Sequence, residues 1–150
     1  MTVYRRWPDM AALTSDVLAR EFPLAGLAAL CTNGNASATS IAGAVVALVA
    51  EIENNPLFVK MIDVDPELLL PYLLHHPGTS QDSVLAALTS AIRYAQRHAD
   101  VRRARPDVLA RTVVLMGQGF ALSGRTMRED RYSERIARRE QQRAVASYLT

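Results

Sequence analysis

Pro106-Asp107-Val108-Leu109-Ala110-Arg111-Thr112-Val113-Val114-Leu115-Met116-Gly117-Gln118-Gly119-Phe120-Ala121-Leu122 is the stretch on which the fold turns. Proline at a first helical position gives up an N–H that has no partner there in any case, so Pro106-Asp107 predicts a helix start. Behind it Val108, Val113, Val114, Leu115, Met116, Phe120 and Leu122 leave little of the circumference polar. A helix that is apolar on most sides is either central in its domain or packed against a partner chain. Gly117 and Gly119 lie in its interior, where each costs about 1 kcal/mol relative to Ala. A close helix crossing or room for a bound molecule would compensate.

Outward from this stretch the spacing stays helical. The basic link Arg102-Arg103-Ala104-Arg105 precedes it. After it a last helix is expected over about Asp130 to Leu149, with Tyr132, Ile136, Ala144, Tyr148 and Leu149 on one side and arginine and glutamine elsewhere. Another long helix is expected from about Ser37 to Glu53, with Ile41, Val45, Leu48, Val49 and Ile52 as its buried stripe. Asn54-Asn55-Pro56 ends it and starts a short apolar helix through Phe58, Met61 and Ile62. Asp65-Pro66 is a further start signal, and Pro71 keeps Leu68 to Leu74 short or kinked. His75-His76-Pro77-Gly78 reads as a turn. Thr79-Ser80-Gln81-Asp82 is similar to a capping box and opens a helix through Val84, Leu85, Leu88, Ile92 and Ala95.

Near the N-terminus Asp9 is expected to cap a helix carrying Met10, Leu13, Val17, Leu18 and Phe22 on one face, interrupted or kinked at Pro23. Leu24, Leu27, Ala28 and Leu30 continue to the loop Thr32-Asn33-Gly34-Asn35. No period-two alternation marks a strand. The expectation is an all-α bundle of about seven to eight helices.

Composition agrees with a single globular domain: 150 residues, 49% hydrophobic and 21% charged. One cysteine, Cys31, excludes an internal disulfide framework and any multi-cysteine metal site. Apolar runs are too short for a membrane span, and the N-terminus lacks the apolar core of a signal peptide, so a cytoplasmic setting is expected. Charge is divided unevenly. Residues 1–101 hold six Lys/Arg against ten Asp/Glu, whereas residues 102–150 hold eleven Arg against five. The basic C-terminal third is open to two readings, a nucleic-acid surface or a solvated helix face.

The motifs of enzyme chemistry are missing: there is no phosphate-cradling glycine loop, Gly-x-Ser-x-Gly elbow or His-Glu-x-x-His. His75 and His76 are adjacent, a poor arrangement for shared metal ligation. His98 follows Tyr94 by one helical turn, so the pair either faces a cavity or ends a helix, where a histidine favours the C-terminal dipole. Neither catalysis nor a metal or other cofactor is expected.

The N-terminal residues carry the most specific signal. Thr2, Val3, Tyr4 and Trp7, followed by Asp9 at a capping position and Leu13 four residues beyond, resemble the end of the helix-turn-helix head of TetR-family transcriptional regulators. The rest of the chain is similar to that family's C-terminal half in its helix pattern. Two departures stand out. The chain begins in the third helix of the head, and Met10 replaces a lysine that the family often carries.

The resemblance implies a head remnant at 1–22 and a ligand-binding and dimerisation domain at 23–150. Thr2, Tyr4 and Arg5 would contact DNA. The partners it implies are a second copy, an apolar small-molecule effector, and operator DNA only when the missing head helices are present. The homodimer would form through Pro106–Arg125 and Asp130–Leu149, with Val113, Phe120, Tyr132, Ile136 and Tyr148 at the interface. Phe58, Met61, Ile62, Tyr94, His98, Met116 and Phe120 would line the effector cavity, although a plain core would contain the same residue types. The shortened head has two explanations: a true start upstream of Met1, or loss of the head with retention of a ligand-binding dimer. The alternative function is a headless helical module that binds ligands or proteins without touching DNA.

Overall fold

The structure is a computed structural model that describes residues 25–64, 66–68, 79–127 and 133–150. These residues form α1 (Ala25–Thr32), α2 (Ala38–Asn54), α3 (Pro56–Val64), α4 (Thr79–His98), α5 (Pro106–Ser123) and α6 (Glu134–Leu149), with a 3-10 turn at Pro66–Leu68. The all-α expectation holds, with no strand among the described residues. Among the described residues the α-helices number six, not the seven to eight expected for the chain. The helix expected behind Asp9 lies outside the described residues, and the Asp65-Pro66 signal yields only the 3-10 turn.

α2 is the organising element. Ser37 stands in extended backbone and its Oγ accepts the Ser40 N–H at 3.1 Å, while Ser40 Oγ accepts the Ser37 N–H at 2.8 Å. This reciprocal capping box satisfies two of the donors that a helix start leaves open. A third, the Ala38 N–H, donates to Asp100 Oδ1 at 2.9 Å from the loop beyond α4. The buried stripe of α2 runs through Ala38, Ile41, Ala42, Val45, Val46, Val49 and Glu53. Around it pack α1, α3, α4, α5 and α6. At its far end Asn55 does double duty. Its N–H closes α2 on Ile52 O, and its Oδ1 accepts the Leu57 and Phe58 N–H groups that start α3. Pro56 then turns the chain, and α3 leaves α2 at 61°.

α4 and α5 form an antiparallel pair against α2, with α1 laid over α4. The link between α4 and α5 is held by Gln96 Nε2, which donates to Arg102 O at 2.9 Å and Ala104 O at 2.7 Å. Ile41, Leu88, Ile92, Leu109, Val113, Val145 and Leu149 are the largest fully buried side chains. Burying a side chain of this size stabilises by about 1.5–3 kcal/mol relative to leaving it in water.

On α5 Gly117 faces α2. A Cβ there would stand 3.6 Å from Val49 Cγ2 and 3.7 Å from Val45 Cγ1, which is ordinary contact. The glycine lies at a helix crossing, yet the crossing leaves room for a methyl. Gly117→Ala should therefore raise stability by about 1 kcal/mol through helix propensity, read as a higher urea midpoint at unchanged slope.

α6 starts at Glu134 rather than near Asp130. Ser133 is extended and its Oγ accepts the Ile136 N–H, so the capping serine sets the boundary. The sidedness of α6 also differs from the sequence reading. Leu149 is fully buried, whereas Ile136 is 46% exposed and Ala144 is exposed. Thirteen residues separate Ile136 from Leu149, a rotation of about 220° past complete turns, so the two point away from each other. Val145 and Gln141 take the buried positions instead.

Candidate functional site

The residues expected to line one effector cavity belong to two separate apolar clusters. Phe58 and Met61 are buried with Ile52, Ile62 and Leu122 where α3 folds back. Tyr94, Met116 and Phe120 are half-buried and pack on the main core of α2, α4, α5 and α6. His98 is exposed in the last turn of α4. Its ring stacks on Tyr94 at 4.3 Å between centroids, and its Nδ1 lies 3.0 Å from the Tyr94 carbonyl oxygen. A carbonyl accepts only, so the bond requires the proton on Nδ1. His98 thus adds a second donor to a carbonyl that already sits in the last turn of the helix. Tyr94 reaches in the other direction, with its hydroxyl 3.4 Å from Gly34 O. Gly34 has φ +67°, the left-handed conformation that favours glycine in this loop.

The expected dimer residues also occupy different environments. Val113 is fully buried within one chain and belongs to its core. Phe120 and Tyr148 are half-buried, Ile136 is exposed, and Tyr132 lies outside the described residues. The outward apolar side chains of α5 are Val108, 48% exposed, and Leu115, 66% exposed. Tyr148 is engaged within the chain: the Arg102 guanidinium lies 4.9 Å from its ring centroid. Thr2, Tyr4 and Arg5 lie outside the described residues. Among the described residues no group of His, Cys, Asp and Glu side chains is placed to hold a metal ion.

Two features were not singled out in the sequence. One is a buried ion pair. Glu53, on α2, is 3% exposed and pairs with Arg138 Nη2 of α6. Arg138 also reaches Glu134 Oε1 at 3.2 Å and Gln141 Oε1 at 3.3 Å. Gly124, just past α5, closes over this pair: a Cβ there would come within 2.9 Å of Glu53 Oε1 and overlap the Phe120 carbonyl oxygen. The signal was present in the spacing. Glu53 continues the series Ile41, Val45, Val49 at four-residue steps, and Arg138 precedes Val145 by seven, so each charge lies on an apolar stripe.

The second feature is an open groove of about 570 Å³ between α2 and α6. Val46, Ala47 and Ala50 form its floor, and Arg135, Arg138 and Arg139 its wall, with Glu134 and Gln142 completing the lining. A shallow apolar floor beside cationic groups suits recognition of an anion rather than covalent chemistry.

No protein-family model and no solved structure matches the chain. Curated relatives do. An uncharacterized HTH-type transcriptional regulator of Mycobacterium bovis is 32% identical over 124 residues, and two from Mycobacterium tuberculosis strains CDC 1551 and H37Rv are each 28% identical over the same length. Each match covers 78% of this chain and 60% of the relative. The chain therefore spans about three-fifths of the length of the curated relatives it matches. Among the described residues no single helix is long and apolar enough to cross a membrane. The chain is thus all-helical among its described residues, and its curated relatives are named as helix-turn-helix transcriptional regulators.

Proposed function

We propose that this chain is the body of a TetR-like transcriptional regulator that responds to a small molecule and, in its full-length form, binds DNA as a homodimer. The observation that carries the reading is the match of 124 residues to proteins named HTH-type transcriptional regulators. The head remnant is 1–22, with Thr2, Tyr4 and Arg5 facing DNA, and the ligand-binding and dimerisation domain is 23–150. Hydroxyl and guanidinium groups suit phosphate contacts that fix register on a duplex.

The dimer pairs α5 and α6 with their copies about a two-fold axis. Supporting it are Val108 and Leu115 on α5 and Ile136 on α6, large apolar side chains left exposed by one chain. An isologous contact covers the same patch on both subunits. Of the expected effector lining, Phe58, Met61 and Ile62 share one cluster, and Tyr94, Met116 and Phe120 pack on the other. An apolar effector bound within the body shifts the spacing of the two heads. It does so only by binding one arrangement more tightly than the other.

Leu115→Arg tests the reading. Leu115 is 66% exposed, so the chain should fold normally. The expected result is a fall from twice 16.5 kDa to 16.5 kDa by sedimentation, with loss of sequence-specific DNA retardation by the full-length form. An unchanged mass, or a monomeric wild type, would remove the α5–α6 dimer from the account.

A further inference from the structure

We propose that the groove between α2 and α6 is a binding site for a small amphiphilic carboxylate, its anionic head on Arg135 and Arg139 and its apolar body over Val46, Ala47 and Ala50. Arg135 and Arg139 are exposed, and neither is paired with a carboxylate among the described residues. They stand one helical turn apart on α6, on the same face and close enough to share one anion. Arg138, between them in sequence, is 14% exposed and already held by Glu53 and Glu134. Its charge is balanced by those two carboxylates, so it walls the groove without itself being free to take a ligand. The carboxylate in the lining, Glu134, is held by Arg138, so the cationic charge open to a ligand is that of Arg135 and Arg139.

The floor supplies the other half of the chemistry. Val46 is buried, Ala50 half-buried and Ala47 exposed, all apolar and two of them no larger than a methyl side chain. A guanidinium pair beside such a floor recognises a molecule with one charged end and one apolar end. Size selects a small molecule over a partner helix. The volume of about 570 Å³ is within the range of small-ligand sites. The wall from Glu134 to Gln142 spans about 12 Å of helix, too short for the several anchor turns of a docked helix. The inference does not rest on the regulator reading, because its test measures no DNA binding.

The experiment is isothermal titration of the full chain with decanoate, and with decanol as the uncharged control. Saturable one-site binding of decanoate is expected, with decanol bound at least about tenfold more weakly. The Arg135→Ala/Arg139→Ala variant should keep the wild-type circular dichroism and melting temperature while weakening decanoate by about tenfold or more. Ala47→Trp, which fills the floor from an exposed position, should weaken decanoate while leaving both arginines in place. Decanoate binding that is absent, matched by decanol, or indifferent to both variants would overturn the proposal.

Discussion

Arg138→Ala is expected to destabilise the chain by up to about 3–5 kcal/mol, the cost of breaking a buried ion pair by removing one of its members. Glu53 is 2% exposed at the side chain and its carboxylate faces the Arg138 guanidinium, itself only 14% exposed. Taking both ions out of water is expensive, and their mutual attraction only about repays that cost. The pair is consequently no large source of stability, but removing one half exposes the cost of burying the other. The double variant Glu53→Leu/Arg138→Leu should recover most of the loss, because it removes both charges together. Urea unfolding of the three proteins checks this. A loss below about 1 kcal/mol for Arg138→Ala would mean that the Glu53 carboxylate is satisfied by other groups.

Leu149→Ala should cost about 2–5 kcal/mol, a core truncation at a site that cannot collapse onto the cavity it leaves. Leu149 is fully buried, and the backbone around it is fixed by Arg102. The Arg102 N–H donates to Leu149 O at 2.8 Å, and Arg102 Nε donates to Tyr148 O at 3.0 Å. These bonds satisfy two carbonyls at the end of α6 that have no partner within the helix. With the turn clamped there, the helix end has little freedom to shift inward. A loss under about 1 kcal/mol in the same urea assay would show that it does shift.

The contrast between Leu149 and Arg102 shows which parts of the fold are legible in sequence. Helix starts set by local chemistry are legible. Ser37 caps α2, Pro106 opens α5, and Asn55-Pro56 divides α2 from α3, as their residue types require. Arg102 reads as one more charge in a basic link, because its partner Tyr148 lies 46 residues away and Leu149 one further. The Glu53–Arg138 pair spans 85 residues and is equally invisible to local rules, apart from the position of each charge on an apolar stripe.

α5 illustrates a different limit. Its apolar residues surround it so broadly that periodicity gives no preferred face, and packing alone decides that Val113 is buried while Leu115 is 66% exposed. The same ambiguity explains why residues expected around one cavity divide between the cluster of Phe58 and Met61 and the main core. Met and Phe serve either role, and sequence spacing does not report which helices face each other. The groove between α2 and α6 is built from alanines and arginines whose importance appears only once the two helices are side by side.

The proposed role is that of a transcriptional regulator. Its most direct test is occupancy of the chromosome by the native, full-length protein in its own cells, measured by crosslinking and sequencing of the captured DNA. The account predicts enrichment at a small number of discrete sites that share a two-fold symmetric sequence, as a symmetric dimer requires. A uniform profile indistinguishable from an untagged control would contradict it.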